Sequence, residues 1–305
     1  DLILHIRGRG TTRKLLLSAN PTYPRLHFTG QSFENPLEPP MFCMLMRKYC
    51  ENGVLESVRQ VGLERIVHLN IRHRDELGDL NIKTIVIEIM GRHSNIILID
   101  PKSGLILDGI HHVTPAISSH RVVLPGVRYV APPEQGKLNP LEISSSEWQR
   151  MQEEWNGSAR EDSVSDMAKQ IVQSFSGISP LNANEIACRG LQHFPEMMQT
   201  IRDHRYEPSI VETAEEKAYF SVFKLTHLNG KEQTFASIHE CLEQYYGDKA
   251  VKDLIKQRVG NLYKWIQNEK AKNEKKLDKL QKTLAAAEDS DHLRIMGELL
   301  TASLH

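Results

Sequence analysis

Residues 84–100 read TIVIEIMGRHSNIILID, which is two apolar, β-branched runs separated by a short loop with a glycine. Runs of this kind on either side of a turn predict two neighbouring strands joined as a hairpin. The two predicted strands are Thr84–Met90 and Asn95–Asp100, and the loop between them contains Arg92 and His93. An antiparallel β structure is therefore expected at the centre of this part of the chain.

Two interpretations of this loop stay open. In the first it is only a tight turn, in which Gly91 supplies the reversal and Asn95 bonds its own backbone. In the second the loop tip presents Arg92 and His93 as groups that contact phosphates or bases, as exposed loop residues often do.

Strand signals continue on both sides of this hairpin from the start of the chain to about Val130. Two strands, Leu2–Arg7 and Lys14–Ala19, flank a Gly8-Arg9-Gly10 turn, and Pro39-Pro40 is predicted to open a helix that runs through Cys50. Further strands are predicted at Arg25–Thr29, Val54–Val61, Ile66–Ile71 and Leu105–Gly109. So many short strands with one helix predict a β-rich domain, sandwich- or barrel-like, over residues 1–140.

A linker rich in Pro, Gly, Gln and Ser at residues 132–146 precedes a helical domain over residues 147–248. Its predicted elements are helices at Glu147–Trp155, Ser165–Phe175, Asn182–Gln192 and Phe235–Tyr246, with a possible hairpin within Glu207–Leu228. The fold class is therefore α+β.

The turn between the second and third of these helices lies within Gly177–Ile186. A helix pair joined by a Gly-containing turn can present backbone N–H groups to a phosphate, which makes Gly177, Ser179 and Asn182 candidate contacts. The alternative is a purely structural Gly/Pro loop with an Asn cap.

An arm over residues 249–305 is expected to be one long helix that ends near Glu288 and is capped again at Ser290-Asp291. Its apolar residues step by four and three, as at the start of a coiled coil. The stepping residues are Ile255, Val259, Leu262, Ile266, Leu277, Leu280 and Leu284. The partner helix is absent from this sequence, so we expect the protein to continue beyond it.

The arm is strongly basic although the whole chain has a net charge of −1. Between Lys249 and Lys282 there are 11 basic and 4 acidic residues. Such a face is either merely solvated or attracts the phosphates of RNA. The candidate RNA-facing lysines are Lys264, Lys270, Lys272, Lys275, Lys276 and Lys279.

A charged pair, Glu64-Arg65, follows Gly62 and is expected to open a strand. Strand alternation would point the two side chains to opposite faces, so they are not expected to bond each other. They are either a solvated pair of little energetic worth or a contact site, in which the Arg65 guanidinium grips a phosphate or stacks on a base.

Several classes of protein are disfavoured by the sequence. No apolar run approaches the roughly 20 residues of a membrane helix. The four cysteines form no CxxC pair, which argues against a zinc ribbon and a disulfide framework. No nucleotide, nucleophile-elbow or metalloprotease motif is present, so we expect no cofactor, no metal and no enzymatic activity.

The first residues form a strand-like run without an initiator Met, and we expect a first piece of the domain to precede them.

Taken together, these motifs resemble the RqcH-type proteins of the NFACT family over essentially the whole chain. The resemblance is carried by the segments 39–48, 62–66, 88–95, 177–186 and 297–302, together with the Lys-rich helix. The family's β domain is also similar to the N-terminal domain of formamidopyrimidine-type DNA glycosylases, which use a helix-two-turn-helix. Those enzymes require an N-terminal proline amine and usually a four-Cys zinc finger, neither of which is visible here.

The resemblance implies a cytoplasmic ribosome quality control factor. It would bind a 50S subunit that carries a stalled peptidyl-tRNA and recruit alanyl-tRNA for untemplated alanine tailing. The family's Asp-Arg pair for tRNA falls on Glu64-Arg65, a departure that lengthens the acidic side chain by one methylene. Arg92, His93 and Asn95 would join this tRNA contact. The alternatives are a surface-exposed adhesin that binds fibronectin or fibrinogen, and a lesion-processing enzyme.

Overall fold

The structure is a computed structural model that describes residues 1–75, 77–158 and 164–303. For the helical residues 156–158, 248–254, 256–258, 261, 288 and 289 it describes only the backbone. The basic side chains of Lys249, Lys252, Lys256 and Arg258 thus lie outside the described residues. The chain divides into two compact units, Asp1–Gly247 and Asp248–His305.

The first part of unit one contains two antiparallel sheets and one helix. A three-stranded sheet has the order β1-β2-β3, and a five-stranded sheet runs in sequence order from β4 to β8. The bounds are β1 Leu2–Gly8, β2 Thr11–Ser18, β3 Arg25–Thr29, α1 Met41–Cys50, β4 Val54–Gln60, β5 Ile66–Arg74, β6 Leu80–Glu88, β7 Asn95–Asp100 and β8 Leu105–Gly109.

Strand alternation buries both faces of the larger sheet at its centre. On one face Ile85 and Ile87 of β6 join a core with Leu15 and Leu17 of β2 and with helix α1. On the other face, Val86 belongs to a second, smaller core. The two sheets therefore share one core, and the predicted sandwich-like β domain is confirmed.

The second part of unit one is helical and then returns to β structure. Its elements are α2 Ser145–Ser158, α3 Val164–Ser174, α4 Pro180–Arg189, α5 Phe194–Arg202, β9 Ser209–Thr213, β10 Ala218–Ser221 and β11 Gly230–Thr234. Helix α2 begins with a capping box, in which Ser144 and Glu147 accept each other's backbone N–H groups. The helices enclose a separate core in which Trp148 stacks on Phe194 with ring centroids 4.1 Å apart. The predicted α+β class is confirmed.

Two elements of this helical part differ from the sequence prediction. Helix α5 lies where no helix was predicted, and its Pro195 occupies a first-turn position that tolerates the missing N–H. Strand β11 adds a third strand to the expected hairpin by pairing with β9. The prediction missed β11 because its residues, GKEQT, are all exposed and show no apolar alternation.

The final helix, α6, is continuous from Ile238 to Ala302. The helix continues through residues 247–249 and through Ser290-Asp291, so the predicted helix break and the predicted second cap are both wrong. A single Gly247 costs a helix only about 1 kcal/mol, which the surrounding helix-forming residues offset. The predicted apolar seam is exposed, for example at Leu262 and Leu280, and in the described residues no second helix packs on it. Pairing as a coiled coil therefore stays a prediction.

Candidate nucleic-acid interface

Glu64 and Arg65 lie in the turn that joins β4 to β5. The backbone N–H of Glu64 donates to Val61 O at 2.8 Å, and Gln60 Nε2 donates to Glu64 O at 2.9 Å. Strand β5 begins only at Ile66, so the prediction that the charged pair lies in the strand is wrong. Because the chain reverses here, the turn presents an exposed Arg65 next to a half-buried Glu64.

Arg92 and His93 lie in a single 3-10 turn between β6 and β7. Ser94 fixes this turn, since its hydroxyl donates to Gly91 O at 2.7 Å and accepts the N–H of Met90 at 2.9 Å. Both basic side chains are exposed, and Arg92 Nε donates to His93 Nε2 at 3.0 Å. The loop is thus a rigid turn that also presents two nitrogen-rich side chains to solvent.

The two turns are neighbours in space. Strands β5 and β6 pair with Ile66 opposite Glu88, and the N–H of Ile89 donates to Arg65 O at 2.8 Å. Residues 61–65 and 89–94 therefore form one exposed edge of the larger sheet, the paired-turn edge. It brings the candidate residues of both turns together.

A buried ion pair lies at the end of β6, directly next to this edge. Glu88 is fully buried, and its carboxylate accepts two bonds from the Arg121 guanidinium and one from Tyr129 Oη at 2.9 Å. Burial and the negative charge of Glu88 both raise the pKa of Tyr129. A buried carboxylate needs such partners because losing one would leave an uncompensated charge in the core.

Asn95 is not part of the exposed edge. It is buried, its Nδ2 donates to His111 O at 2.8 Å, and its Oδ1 accepts the N–H groups of Ile96 and His111. Its amide oxygen and one amide N–H thus join the start of β7 to the segment after β8. The predicted RNA contact at Asn95 does not fit this position, and the residue holds the turn in place instead.

The turn between α3 and α4 packs against the paired-turn edge. Gly177 has a φ of +72°, and a Cβ added to it would lie 2.2 Å from Leu63 O. Ser179 caps α4 by accepting the N–H of Asn182 at 3.3 Å, and Pro180 occupies the first turn. The helical domain thereby places the N-terminus of α4 beside the β domain's charged turn.

Glu185, in the middle of α4, ties this helix to the segment before β11. Its fully buried carboxylate accepts bonds from Arg189 Nε at 2.5 Å, Thr226 Oγ1 at 2.7 Å, and the N–H of His227 at 3.0 Å, and its Oε2 lies 2.6 Å from His227 Nδ1. Burial alone would raise the pKa of Glu185, but the bonds from His227, Arg189 and Thr226 outweigh it and lower the pKa to about 2.

This pKa predicts a specific acid sensitivity. The carboxyl titrates near 4.5 when unfolded and near 2 when folded, so its contribution is present above about pH 4.5 and is lost as the pH falls towards 2. The contribution is about 3 kcal/mol. We expect Glu185→Gln to lower the free energy of unfolding at neutral pH and to flatten its decline below about pH 4.5. Urea unfolding followed by tryptophan fluorescence measures the free energy of unfolding at each pH. Parallel curves of this free energy against pH for the variant and the parent would contradict the prediction.

Two basic residues near the edge escaped the sequence analysis. Arg59 of β4 lies opposite His68 of β5, and the His68 ring stands 6.5 Å from that of Tyr129. Burial and the charge of Arg59 lower the pKa of His68. Both occupy positions where strand alternation predicts only solvent-facing residues, so the sequence carries no signal that separates them from ordinary surface side chains.

The candidate lysines of unit two all lie exposed along α6. Lys272 pairs with Glu269 at 2.9 Å and Lys270 with Glu274 at 3.7 Å. Among the described residues no ion pair involves the other four, which leaves their charges open to a partner. The six are Lys264, Lys270, Lys272, Lys275, Lys276 and Lys279.

Other kinds of site receive little support in the described part of the chain. No cluster of three or more His, Cys, Asp or Glu residues there could hold a metal ion. His112 contacts Asp108 at 2.7 Å, which is a single carboxylate partner. Burial raises the pKa of Cys50 to about 12 and that of Cys241 to about 11, so both thiols are protonated at neutral pH. None of the described helices has the length and apolar character needed to cross a bilayer.

Comparison with known proteins identifies relatives over the full chain. A family model described as the NFACT N-terminal and middle domains matches residues 1–305. The Rqc2 homolog RqcH of Bacillus subtilis (strain 168) is 44% identical over 313 residues, which cover 100% of this chain and 53% of that protein. The Rqc2 homolog RqcH of Streptococcus suis (strain 05ZYH33) is 33% identical over 305 residues, which cover 100% of this chain and 53% of that protein. The chain thus spans about half the length of the curated relatives it matches.

Solved structures share the fold. The N-terminal part of the fibronectin/fibrinogen-binding protein from Streptococcus suis has a TM-score of 0.68 and 31% identity, and the match covers 81% of this chain and 87% of that one. The fibrinogen binding protein from Staphylococcus aureus has a TM-score of 0.66 and 32% identity, and the match covers 80% of this chain and 86% of that one. Because the family model covers every residue, the chain belongs to the NFACT family and corresponds to its N-terminal and middle domains.

Proposed function

We propose that this chain is the RNA-binding front part of a ribosome quality control factor. In this proposal the whole protein binds a 50S subunit with a stalled peptidyl-tRNA and recruits alanyl-tRNA for untemplated alanine tailing. One observation carries it: turns from two hydrophobic cores converge, so that Arg65 and the turn that leads into α4 both lie next to Leu63. The name of the relatives, Rqc2 homolog RqcH, supports the ribosomal context.

The chemistry of the paired-turn edge suits exposed, single-stranded RNA. The planar guanidinium of Arg65 can hold a phosphate through two parallel hydrogen bonds. The carboxylate of Glu64 can accept hydrogen bonds from an amino group on a base edge, while His93 can stack on a splayed base. A cation beside an anion therefore favours a nucleotide over a bare phosphate, which is what recognition of a tRNA loop requires.

The proposed factor binds and positions RNA but catalyses nothing. Peptidyl transfer would be carried out by the ribosome itself, without a cofactor on this chain, and the protein would work in the cytoplasm. The exposed lysines of α6 would face ribosomal RNA, where each neutralised phosphate adds sequence-independent affinity. Specificity would then come from the paired-turn edge and affinity from both surfaces.

A second candidate function is adhesion. The solved structures with the same fold are titled fibronectin/fibrinogen-binding and fibrinogen binding proteins. An exposed basic helix could meet an acidic partner at the cell surface, and such binding would be weak and sensitive to salt.

Sedimentation of the full-length protein with ribosomal particles tests the proposal. We expect it to sediment with free 50S subunits and not with intact 70S ribosomes, since a factor that acts without a message needs the small-subunit face vacant. The logarithm of its affinity should fall linearly with the logarithm of salt concentration, by roughly 0.7 to 0.9 per phosphate contacted.

Cell fractionation separates the two candidates. A protein found at the cell surface and absent from 50S particles would favour the adhesin. A salt plot that stays flat between low and physiological ionic strength would contradict phosphate recognition.

A further inference from the structure

The hairpin of β1 and β2 ends in a two-residue turn, Arg9-Gly10, that faces open space. Gly8 pairs with Thr11 across it, and a side chain added at Gly8 or Gly10 would meet no atom within 4 Å. Strand β3 pairs with β2 only from Lys14 onwards. The residues on both sides of the turn therefore form a two-stranded ribbon that extends beyond the end of β3.

This ribbon is rich in positive charge. Residues 2–33 contain no Asp or Glu but five Arg or Lys residues. Arg7, Arg9 and Arg13 are exposed, and no ion pair among the described residues involves any of them. Arg13 lies over the Phe28 ring at 4.3 Å, which orients one of the three charges.

The backbone at the tip disfavours the residue that occupies it. Arg9 has a φ of +48° and Gly10 a φ of +79°, the combination of a type I′ turn. Asn, Asp and Gly are preferred at the first position, because a longer side chain is strained at a positive φ. An arginine kept in a strained position without a folding partner is best explained by what its charge contacts outside the chain.

We propose that this hairpin tip, residues 7–13, is a second RNA-contact surface that binds the sugar-phosphate backbone of a double-stranded RNA segment. Single-stranded RNA is a poorer fit because sites for it combine positive charge with rings that stack on bases, and residues 7–13 contain no Phe, Tyr, Trp or His. A membrane is disfavoured because the apolar residues of β1 pack against the β-domain core. A narrow basic ribbon can instead lie along a groove and reach phosphates on both sides.

The inference extends the proposed function to a second site, and it stands on different residues. The test uses the full-length protein and two probes, a generic RNA duplex of about 20 base pairs and purified 50S subunits. The variants are Arg9→Asn, which also relieves the turn, and the double variant Arg7→Gln/Arg9→Asn. Arg205→Gln is the control, because it removes one exposed positive charge elsewhere.

We expect Arg9→Asn to raise the melting temperature while it weakens duplex binding by about 3- to 10-fold and lowers the salt slope by about 1. The double variant should lower the salt slope by about 2, and Arg205→Gln should change neither the duplex affinity nor the salt slope.

Duplex affinity and salt slope equal to those of the parent would overturn the inference, and so would a lower melting temperature for Arg9→Asn. If the hairpin variants bind normally while Arg65→Ala loses tRNA, this inference fails and the proposed function stands. If the variants lose the duplex but no form of the protein binds 50S subunits, the proposed function fails instead.

Discussion

Arg65→Ala in the full-length protein is expected to abolish alanine tailing and to weaken tRNA binding by about 10- to 100-fold. A charge-assisted hydrogen bond contributes about 1.5–3 kcal/mol, and the guanidinium would make more than one. The melting temperature should barely change, because Arg65 is exposed and a surface substitution alters stability by about 0.5 kcal/mol or less. Tailing of a stalled reporter chain and filter binding of alanyl-tRNA measure the two effects.

The matched controls for this prediction lie in the same turn and on the strand that precedes it. Glu64→Asp keeps the carboxylate and should be tolerated, whereas Glu64→Ala should lower tRNA affinity without unfolding the protein. Arg59→Ala removes a charge of the same sign on the neighbouring strand and should have a smaller effect. An Arg65→Ala protein that tails normally, or one that unfolds, would rule out the assigned role.

Gly177→Ala is expected to destabilise unit one by about 2–5 kcal/mol and to abolish tRNA binding. The substitution would place a Cβ 2.2 Å from Leu63 O and 2.4 Å from Leu63 Cβ, and it would also force a non-glycine residue to a φ of +72°. The turn cannot relieve this clash by moving a flexible side chain, because the obstacle is backbone. The turns that the proposed site brings together would have to separate.

Gly136→Ala separates the two causes. Gly136 has a φ of +65°, but a Cβ there would meet no atom within 4 Å, so the substitution adds only the backbone strain. It should lower the free energy of unfolding by about 1 kcal/mol and leave tRNA binding intact. Chemical denaturation of both variants, together with filter binding, gives the comparison. Equal losses for the two variants would show that contact with Leu63 is unimportant.

Local pattern was enough to predict most of the β domain. The alternation and turn residues around Gly10, Gly91 and Gly104 specify hairpins whose partners are adjacent in sequence, so no long-range information was needed. The same reasoning failed for β11, which is held by backbone pairing with β9 and buries no side chain of its own. It also failed at the continuous helix α6, where local cap signals were weaker than the helix propensity around them.

Individual residues of the candidate site could be predicted from the sequence, but the surface that they form together could not. The sequence predicts Arg92 and His93 in an exposed turn, and the structure places them there. Arg65, predicted to lie in a strand, is instead exposed in the turn before β5. Asn95 shares their segment yet is buried, because its amide satisfies the backbone of a later strand connection that pattern alone does not reveal. The approach of Gly177 to Leu63 depends on how two cores pack, and it leaves no local signature in either segment.

That contact also has a consequence for the synthesis of the protein. Leu63 and Gly177 are more than one hundred residues apart, so the contact closes a long loop and forms only after both flanking cores have begun to fold. A nascent chain that has released the β domain alone from the exit tunnel would carry Arg65 without the N-terminus of α4 beside it. The RNA affinity of the paired-turn edge would therefore be complete only after α4 has been synthesised and has packed beside this edge.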